Sequence, residues 1–251
     1  MKAIILAAGL GNRLLPLTED KPKCLIEFSG KTLLDRLLKT FKSGGINDIV
    51  LVIGHKSEKI KNVDLNLVKN EKYSKTGIMH SLFCAKEKLE KTVIVSYGDI
   101  IFENSVLEKL LESKYDITAV VDKKWEKYWK LRTDKPLSDA ESLLMDKKNF
   151  ITNIGEKNLK SFDKICGQFI GLIMFQNKGL DDLKEFFNKT YSEATKEYNP
   201  LNTNVPFEQS TLTNFLQGMI TNGYKIKAIP IENGWLEFDT VRDCILSLLQ
   251  S

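Results

Sequence analysis

The sequence predicts an α/β fold in which helices cover a mostly parallel, mixed sheet. One observation is a length of 251 residues with 42% hydrophobic and 28% charged side chains, which is ordinary for a globular protein with a sizeable core. The others are short Val- and Ile-rich runs that alternate with helical patterns, and a glycine-rich turn directly after the first run. We therefore expect one domain over residues 1–251, with halves over 1–121 and 122–251.

The first half carries the alternation that predicts the parallel sheet. Short runs rich in β-branched residues are separated by stretches in which apolar residues recur with helical spacing. Ligands of such sheets bind at the carboxyl ends of the strands. The predicted strands are Ala3–Leu6, Ile49–Ile53, Leu65–Val68, Thr92–Val95 and Ile117–Val121, and the predicted helices are Leu33–Phe41, Met79–Leu89 and Val106–Leu111.

The second half begins after Asp122 with a more polar stretch. Its first predicted elements are antiparallel strands near Ser142–Met145 and Phe150–Ile154, a small elaboration of the fold. A polar segment with two prolines, Tyr191–Phe207, predicts a mobile loop. The remaining predictions are strands at Gln168–Phe175 and Lys225–Ile231 and helices at Leu180–Asn188, Ser210–Ile220 and from about Val241.

Charge and cysteine content exclude several classes of protein. The net charge of +4, from 37 basic and 33 acidic side chains spread along the chain, argues against a nucleic-acid or membrane partner. Four scattered cysteines without a C-x-x-C pair, and only two histidines, indicate neither a zinc site nor a disulfide framework. The chain starts with a core strand rather than a signal peptide, and we expect a cytoplasmic protein with reduced thiols.

The segment after the first predicted strand has the features of a phosphate-binding loop. Small residues and the glycines Gly9 and Gly11 let backbone N–H groups approach an anion closely. A P-loop is excluded because one residue, not four, separates the glycines, and a dinucleotide fingerprint is excluded because Leu14 stands where its third glycine belongs. On the glycines alone, a plain turn between a strand and a loop remains an alternative.

Together with the residues that follow it, this loop resembles the signature of nucleotidyltransferases that couple nucleoside triphosphates to sugar phosphates, phosphocholine and similar compounds. The resemblance implies the Rossmann-like, GT-A-like fold of that family. It also implies that the loop wraps the triphosphate, that Arg13 contacts the phosphates and that Lys23 stabilises charge at the reacting phosphorus. The matching residues are Gly9, Gly11, Arg13, Pro16, Leu17, Thr18, Pro22, Lys23 and the run 30–34.

The nucleotide implied by the resemblance is CTP. The segment 73–76, with Ser81, Leu82 and Ala85, is more similar to cytidylyltransferases than to hexose-1-phosphate enzymes. Cytidylyltransferases commonly have asparagines where this chain has residues 77–79. The resemblance therefore implies that the segment as a whole contacts the base, and it does not assign base contacts to individual residues. The expected nucleotide contacts are Leu6, Ala7, Ala8, Gly9, Gly11, Asn12, Arg13, Lys23, Thr76, His80, Ser81 and Gly98.

Acidic residues at strand ends beside the loop predict a Mg²⁺ site, because Mg²⁺ takes oxygen ligands and usually one or two carboxylates. Asp99 follows the apolar run 93–98, where the family has a metal-binding aspartate. Asp239 lies in a late Glu-x-Asp-Thr segment similar to that of the family, and Glu237 shares a strand face with it. The structural alternative is an Asx turn or a helix N-cap for Asp99, and a helix N-cap for Asp239.

The acceptor side resembles a subgroup from capsule and surface-polymer gene sets, including cytidylyltransferases of capsular phosphoramidate synthesis that act on phosphoglutamine. Lys123 and Arg132 are expected to hold the acceptor phosphate, since Lys offers a point charge and Arg a planar fork. Trp129 is expected to wall the pocket, with packing of Trp125 and Trp129 into the core as the alternative. Glu141 is expected to meet an acceptor ammonium or amide group, and Gln168 also suits the subgroup.

These observations lead to a hypothesis of Mg²⁺-dependent transfer of CMP from CTP to a small phosphorylated acceptor. L-glutamine phosphate is favoured, giving CDP-L-glutamine and pyrophosphate, with phosphocholine or a phosphonate also open. No protein nucleophile or base is required, because the acceptor phosphate is already an oxyanion. The alternatives are a hexose-1-phosphate nucleotidyltransferase and a non-catalytic nucleotide-binding subunit. Either a monomer or a homodimer fits the sequence.

Overall fold

The computed structural model describes residues 1–61, 65–201 and 203–248. Short 3₁₀ turns join many of its elements. In chain order the strands and helices are β1 (Lys2–Ala7), β2 (Glu27–Phe28), β3 (Lys31–Thr32), α1 (Leu33–Ser43), β4 (Asp48–Ile53), β5 (Asn66–Lys69), α2 (Ile78–Cys84), β6 (Val93–Tyr97), β7 (Ile100–Phe102), α3 (Asn104–Leu111), β8 (Ile117–Asp122), α4 (Trp125–Arg132), α5 (Pro136–Asp139), β9 (Leu143–Met145), β10 (Ile151–Ile154), β11 (Gln168–Phe175), α6 (Lys178–Glu193), α7 (Leu212–Thr221), β12 (Lys227–Ile231), β13 (Trp235–Glu237) and α8 (Val241–Leu248).

A seven-stranded sheet in the order β12-β8-β11-β6-β1-β4-β5 forms the centre. Its neighbouring strands are parallel except at β11, which pairs antiparallel with β6 and with β8. The predicted mostly parallel, mixed sheet is therefore confirmed. Because β11 comes from the second half of the chain and lies between two strands of the first half, both halves build one sheet.

Alternation along the buried strands produces a core on each face of the sheet. On one face, Ile4 and Val95 pack with α2, α6 and α7, and on the other, Ile5 and Ile94 pack with α1, α3 and α4. The helices α1, α3, α6 and α7 are amphipathic, and each buries one stripe of side chains against these faces. Among the described residues, no helix is both long and apolar enough to cross a membrane.

Three small sheets decorate the central one. The predicted antiparallel pair near residues 142–154 is confirmed as β9 and β10. A hairpin of β2 and β3 and a ribbon of β7 and β13 were not predicted, because two or three residues are too few to show a period of alternation. The ribbon matters for the site, since β7 begins directly after Asp99 and β13 ends two residues before Asp239.

Two predicted boundaries were wrong. The helix expected over Met79–Leu89 ends at Cys84 and is followed by a 3₁₀ turn at Lys86–Lys88. In the other case α6 continues to Glu193, so the expected loop over Tyr191–Phe207 starts as helix. The physical reason is packing in the last turns of α6, where Thr190 is buried and donates its hydroxyl to the Phe186 carbonyl oxygen at 2.8 Å. Tyr191 also contacts Phe187 and Phe207, although its side chain is largely exposed. Residue 202 of that loop lies outside the described residues.

Candidate active site

The glycine loop leaves the carboxyl end of β1 and turns back over the sheet edge. Gly11 has φ of 68°, a left-handed conformation that favours glycine. Thr18 fixes the loop, because its hydroxyl donates to the Gly11 carbonyl oxygen at 2.8 Å. At the neighbouring strand end, a Cβ on Gly98 would lie 2.8 Å from the Leu6 carbonyl oxygen, so β1 and β6 converge where only glycine fits.

A cavity of about 280 Å³ opens at this edge. The predicted nucleotide residues that line it come from the loop, the ends of β1 and β6, and α2, and His80 is the one predicted nucleotide residue that is not part of the lining. Tyr73 and Ile78 add apolar walls. The lining residues foreseen from the sequence are Leu6, Ala7, Ala8, Gly9, Gly11, Asn12, Arg13, Lys23, Thr76, Ser81, Gly98, Asp99 and Asp239.

A buried amide that the sequence did not reveal organises the α2 side of the cavity. Asn70, fully buried after β5, donates from Nδ2 to Thr76 Oγ1 and to Ser81 Oγ, both at 3.0 Å. Its Oδ1 accepts from the Lys72 backbone N–H at 2.9 Å. Asn70 therefore fixes the two hydroxyl groups that face the cavity, and its only sequence signal was its place at a strand end.

Lys23 lies at the centre of the charged groups. Its Nζ is 2.6 Å from Asp99 Oδ2 and 2.7 Å from Asp239 Oδ1, and Arg13 forms a second ion pair with Asp239. Burial lowers the pKa of Lys23, but Asp99 and Asp239 outweigh burial and raise that pKa above its usual value. Burial raises the pKa of Asp239, while Lys23 and Arg13 hold its net pKa below the usual value. The cavity thus contains charged groups of both signs.

The two aspartates fit a divalent cation that also binds substrate phosphates. Asp99 Oδ1 is buried and has no hydrogen-bond partner among the described residues, and Mg²⁺ prefers oxygen ligands of this kind. Over the same part of the chain, no group of three or more His, Cys, Asp or Glu side chains is arranged to hold a metal by itself. Mg²⁺ commonly takes one or two carboxylates and completes its shell with phosphates and water.

Glu237, the third predicted metal ligand, does not line the cavity. Its Oε2 lies 2.5 Å from Nη1 of Arg132, an ion pair without hydrogen-bond alignment. Burial, Asp239 and Asp99 together raise the pKa of Glu237 to about 7, although Arg132 acts in the opposite direction. The side chain therefore belongs to an ion-pair network behind the cavity.

None of the five predicted acceptor residues lines the cavity. Lys123 is exposed at the end of β8, where its backbone N–H donates to Ile231. Trp129 is buried and packs edge-to-face on Trp125, with 5.8 Å between the ring centroids. This is the core packing that the sequence left open as the alternative to a pocket wall. Arg132 is buried with only 4% of its side chain exposed, because it pairs with acidic groups inside the protein. None of these positions presents a free cation or aromatic face to the cavity.

Glu141 and Gln168, the other two predicted acceptor residues, do lie together. Gln168 Nε2 donates to the Glu141 carbonyl oxygen at 2.6 Å, and Lys157 lies 3.3 Å from the Glu141 carboxylate. Burial raises the pKa of Tyr97, and Glu141 and Asp99 raise it further, so these groups share one electrostatic environment. The sequence had not singled out Tyr97, although it directly precedes Gly98 and Asp99.

Gly171 explains how Tyr97 is accommodated. It has φ of 82°, and a Cβ there would lie 2.5 Å from Tyr97 Cδ2. The register of β11 against β8 shifts between Phe169 and Ile173, as expected where a strand bulges. The Tyr97 ring therefore rests on a bulge that only glycine permits.

The chain is similar to several known proteins. Residues 3–154 match the family described as the MobA-like NTP transferase domain. The chain is 37% identical to a CTP:phosphoglutamine cytidylyltransferase of Campylobacter jejuni, with 97% of both chains covered. An inositol-1-phosphate CTP transferase from T. maritima superposes with a TM-score of 0.73 at 26% identity, covering 96% of this chain and 90% of the other. A CTP:phosphocholine cytidylyltransferase from Streptococcus pneumoniae shares the fold, with a TM-score of 0.78, 23% identity and coverage of 100% and 99%.

Proposed function

Since the chain belongs to the MobA-like NTP transferase family, and is thus a nucleotidyltransferase, we propose that it transfers CMP from CTP to L-glutamine phosphate, releasing pyrophosphate. The product in this proposal is CDP-L-glutamine, for surface-polymer synthesis of the phosphoramidate type. The strongest support is that the loop 9–13, Lys23, Asp99 and Asp239 surround one cavity. Similarity to a CTP:phosphoglutamine enzyme over 97% of both chains supports the choice of nucleotide and acceptor.

The glycine loop and its neighbours bind the triphosphate in this proposal. Backbone N–H groups of residues 9–13 donate to the phosphates. Arg13 leaves its ion pair with Asp239 and binds a phosphate oxygen instead. Thr76 and Ser81, which Asn70 holds in place, face the nucleoside. The apolar wall of Tyr73 and Ile78 gives the base a surface on which to pack.

Lys23 stabilises the charge that builds up during transfer. Its ammonium group stays protonated because two carboxylates raise its pKa, so it can donate to the α-phosphate as negative charge develops there. Asp99 and Asp239 would hold Mg²⁺, which would supply positive charge to neutralise the phosphate oxygens of CTP. The acceptor phosphate supplies the attacking oxygen, so that the protein has only to orient it and exclude water.

The acceptor enters beside Tyr97, Glu141 and Lys157. In this proposal the Glu141 carboxylate binds the α-ammonium group of the acceptor. Lys157, whose Nζ lies 3.3 Å from the Glu141 carboxylate, binds the acceptor's α-carboxylate. Gln168 holds the Glu141 backbone and thereby sets the position of its side chain. A zwitterionic amino acid phosphate suits this pair of opposite charges better than a hexose phosphate does.

Pyrophosphate release tests the proposal directly. Initial rates are measured with CTP, UTP, ATP and GTP against phosphoglutamine, phosphocholine, aminoethylphosphonate and hexose 1-phosphates. We expect the highest rate with CTP and phosphoglutamine. Equal rates with UTP would overturn the assignment of CTP, and a preference for hexose 1-phosphates would instead make the protein a nucleotide-sugar enzyme.

A further inference from the structure

A buried ion-pair network joins α4 to the start of α8. Arg132, the last residue of α4, donates from Nε to Asp243 Oδ1 at 2.8 Å and from Nη2 to Asp243 Oδ2 at 3.3 Å. The Arg132 side chain is 4% exposed and that of Asp243 is fully buried. Their bidentate contact fixes one geometry, unlike a flexible surface ion pair.

The same Asp243 carboxylate holds the backbone of the residue that faces Lys23. Its Oδ2 accepts hydrogen bonds from the Asp239 backbone N–H at 2.9 Å, the Thr240 N–H at 2.7 Å and the Thr240 hydroxyl at 3.0 Å. These contacts start α8 directly after the cavity. A change in the position of Asp243 therefore moves the backbone of Asp239.

A second contact from α4 reaches the chain just before Asp239. The Tyr128 hydroxyl accepts from the Glu237 backbone N–H at 2.9 Å and donates to the Glu237 carbonyl oxygen at 3.2 Å. The Arg132 guanidinium lies over the Tyr128 and Trp129 rings, 5.3 and 4.7 Å from their centroids. One helix thus holds the chain on both sides of Asp239.

We propose that Arg132 and Asp243 are positioning residues that set the Asp239 carboxylate at the distance from Asp99 that a divalent cation requires. The inference rests on the proposed function, in which Asp99 and Asp239 bind Mg²⁺. It gives Arg132 a different role from the one its sequence suggested, because the guanidinium acts through Asp243 and does not touch the acceptor. Partners of this kind, which orient a ligand without binding the metal, typically change metal affinity by about 10- to 100-fold when they are replaced.

Two properties of the network favour positioning over stability alone. Burying an ion pair contributes little net stability, since the cost of removing both charges from water offsets their attraction. The network also has two carboxyl groups, those of Asp243 and Glu237, for one guanidinium, that of Arg132. The positions of both carboxyl groups therefore depend on Arg132. A purely structural contact at this place could be apolar.

The test compares Arg132→Met, Arg132→Lys and Asp243→Asn with two controls. Arg242→Met removes a neighbouring arginine whose ion pair with Asp134 is exposed, and Leu216→Ala weakens the core at a fully buried position on α7. Mn²⁺ binding to the CTP complex, with acceptor omitted, is measured by water-proton relaxation, and thermal unfolding is recorded for every variant. Arg132→Lys keeps the charge and serves if Arg132→Met does not fold.

We expect Mn²⁺ affinity to fall at least about 10-fold in Arg132→Met and Asp243→Asn, less in Arg132→Lys, and not in Arg242→Met or Leu216→Ala. The KM for the acceptor should stay unchanged in Arg132→Lys. If Arg132 instead bound the acceptor directly, this substitution would raise that KM. Wild-type Mn²⁺ affinity in all three network variants would overturn the inference, as would an equal loss in Leu216→Ala. If Asp239→Asn binds Mn²⁺ as tightly as the wild-type enzyme does, the metal site of the proposed function itself fails, and the inference with it.

Discussion

At the scale of single residues, the site is organised around one lysine between two aspartates. Lys23 comes from the loop after the glycine turn, Asp99 from the end of β6 and Asp239 from the segment before α8. Strand-end positions and resemblance were enough to predict that these residues meet. The burial of Arg132 could not be predicted from the sequence, because its partner Asp243 lies 111 positions away in the chain.

Replacing Lys23 by Met tests the role of its charge. We expect kcat to fall by about 10²-fold or more, since loss of a group that stabilises developing negative charge typically costs that much. Pyrophosphate release gives the rate, and circular dichroism checks the fold. Lys42→Met, at an exposed position of α1, is the matched control and should keep wild-type turnover. Turnover unchanged in Lys23→Met would remove this lysine from the mechanism.

Neutralising either aspartate tests the metal site. Asp99→Asn and Asp239→Asn each remove one carboxylate ligand, so the Mg²⁺ concentration for half-maximal activity should rise or activity should disappear. Titration of Mg²⁺ in the pyrophosphate assay measures this requirement. The exposed Asp134→Asn is the control and should titrate like the wild type. A wild-type Mg²⁺ requirement in both site variants would refute the metal site.

At the scale of elements, long periodic segments were predictable and short ones were not. The central strands and α1, α3 and α7 lie close to where apolar spacing predicted them. The ribbon of β7 and β13 escaped notice because each strand has three residues, although it connects the two aspartates. The end of α2 at Cys84 was also missed, since the apolar pattern continues past it.

The two histidines offer a pH test of the α2 region. Burial lowers the pKa of His80 on α2 and of His55 after β4, in each case below 6.5. As pH falls through about 6.5, these histidines therefore take up protons in the unfolded chain before they do so in the folded protein. This preferential protonation of the unfolded chain lowers the stability of the fold. We expect the thermal unfolding midpoint to fall between pH 7 and pH 5, and to fall less in His55→Gln/His80→Gln.

That comparison isolates the histidines from other titrating groups, because only the difference between the two pH profiles is interpreted. The single variants His55→Gln and His80→Gln assign the shares of the two positions. Parallel profiles for wild type and double variant would show that neither histidine has a depressed pKa in the folded protein.

At the scale of the whole molecule, both halves of the chain are needed to complete the site. The glycine loop and Asp99 come from the first half, whereas Asp239 and the strand β11 between β6 and β8 come from the second. Fold class and reaction type were therefore predictable from the sequence, since they depend on motifs at strand ends. The proposed acceptor site was harder to predict, because Glu141, Lys157 and Gln168 are brought together only when the chain folds.

The reaction that we propose for this protein is the transfer of CMP from CTP to phosphoglutamine. Phosphorus-31 NMR of enzyme, Mg²⁺, CTP and phosphoglutamine follows the reaction without a coupling enzyme, and Lys23→Met provides the slow reference. We predict that the CTP signals decline while those of a CDP-linked diphosphate and free pyrophosphate grow in equal amounts. Unchanged CTP and phosphoglutamine signals, or hydrolysis of CTP without a CDP-linked product, would contradict this account.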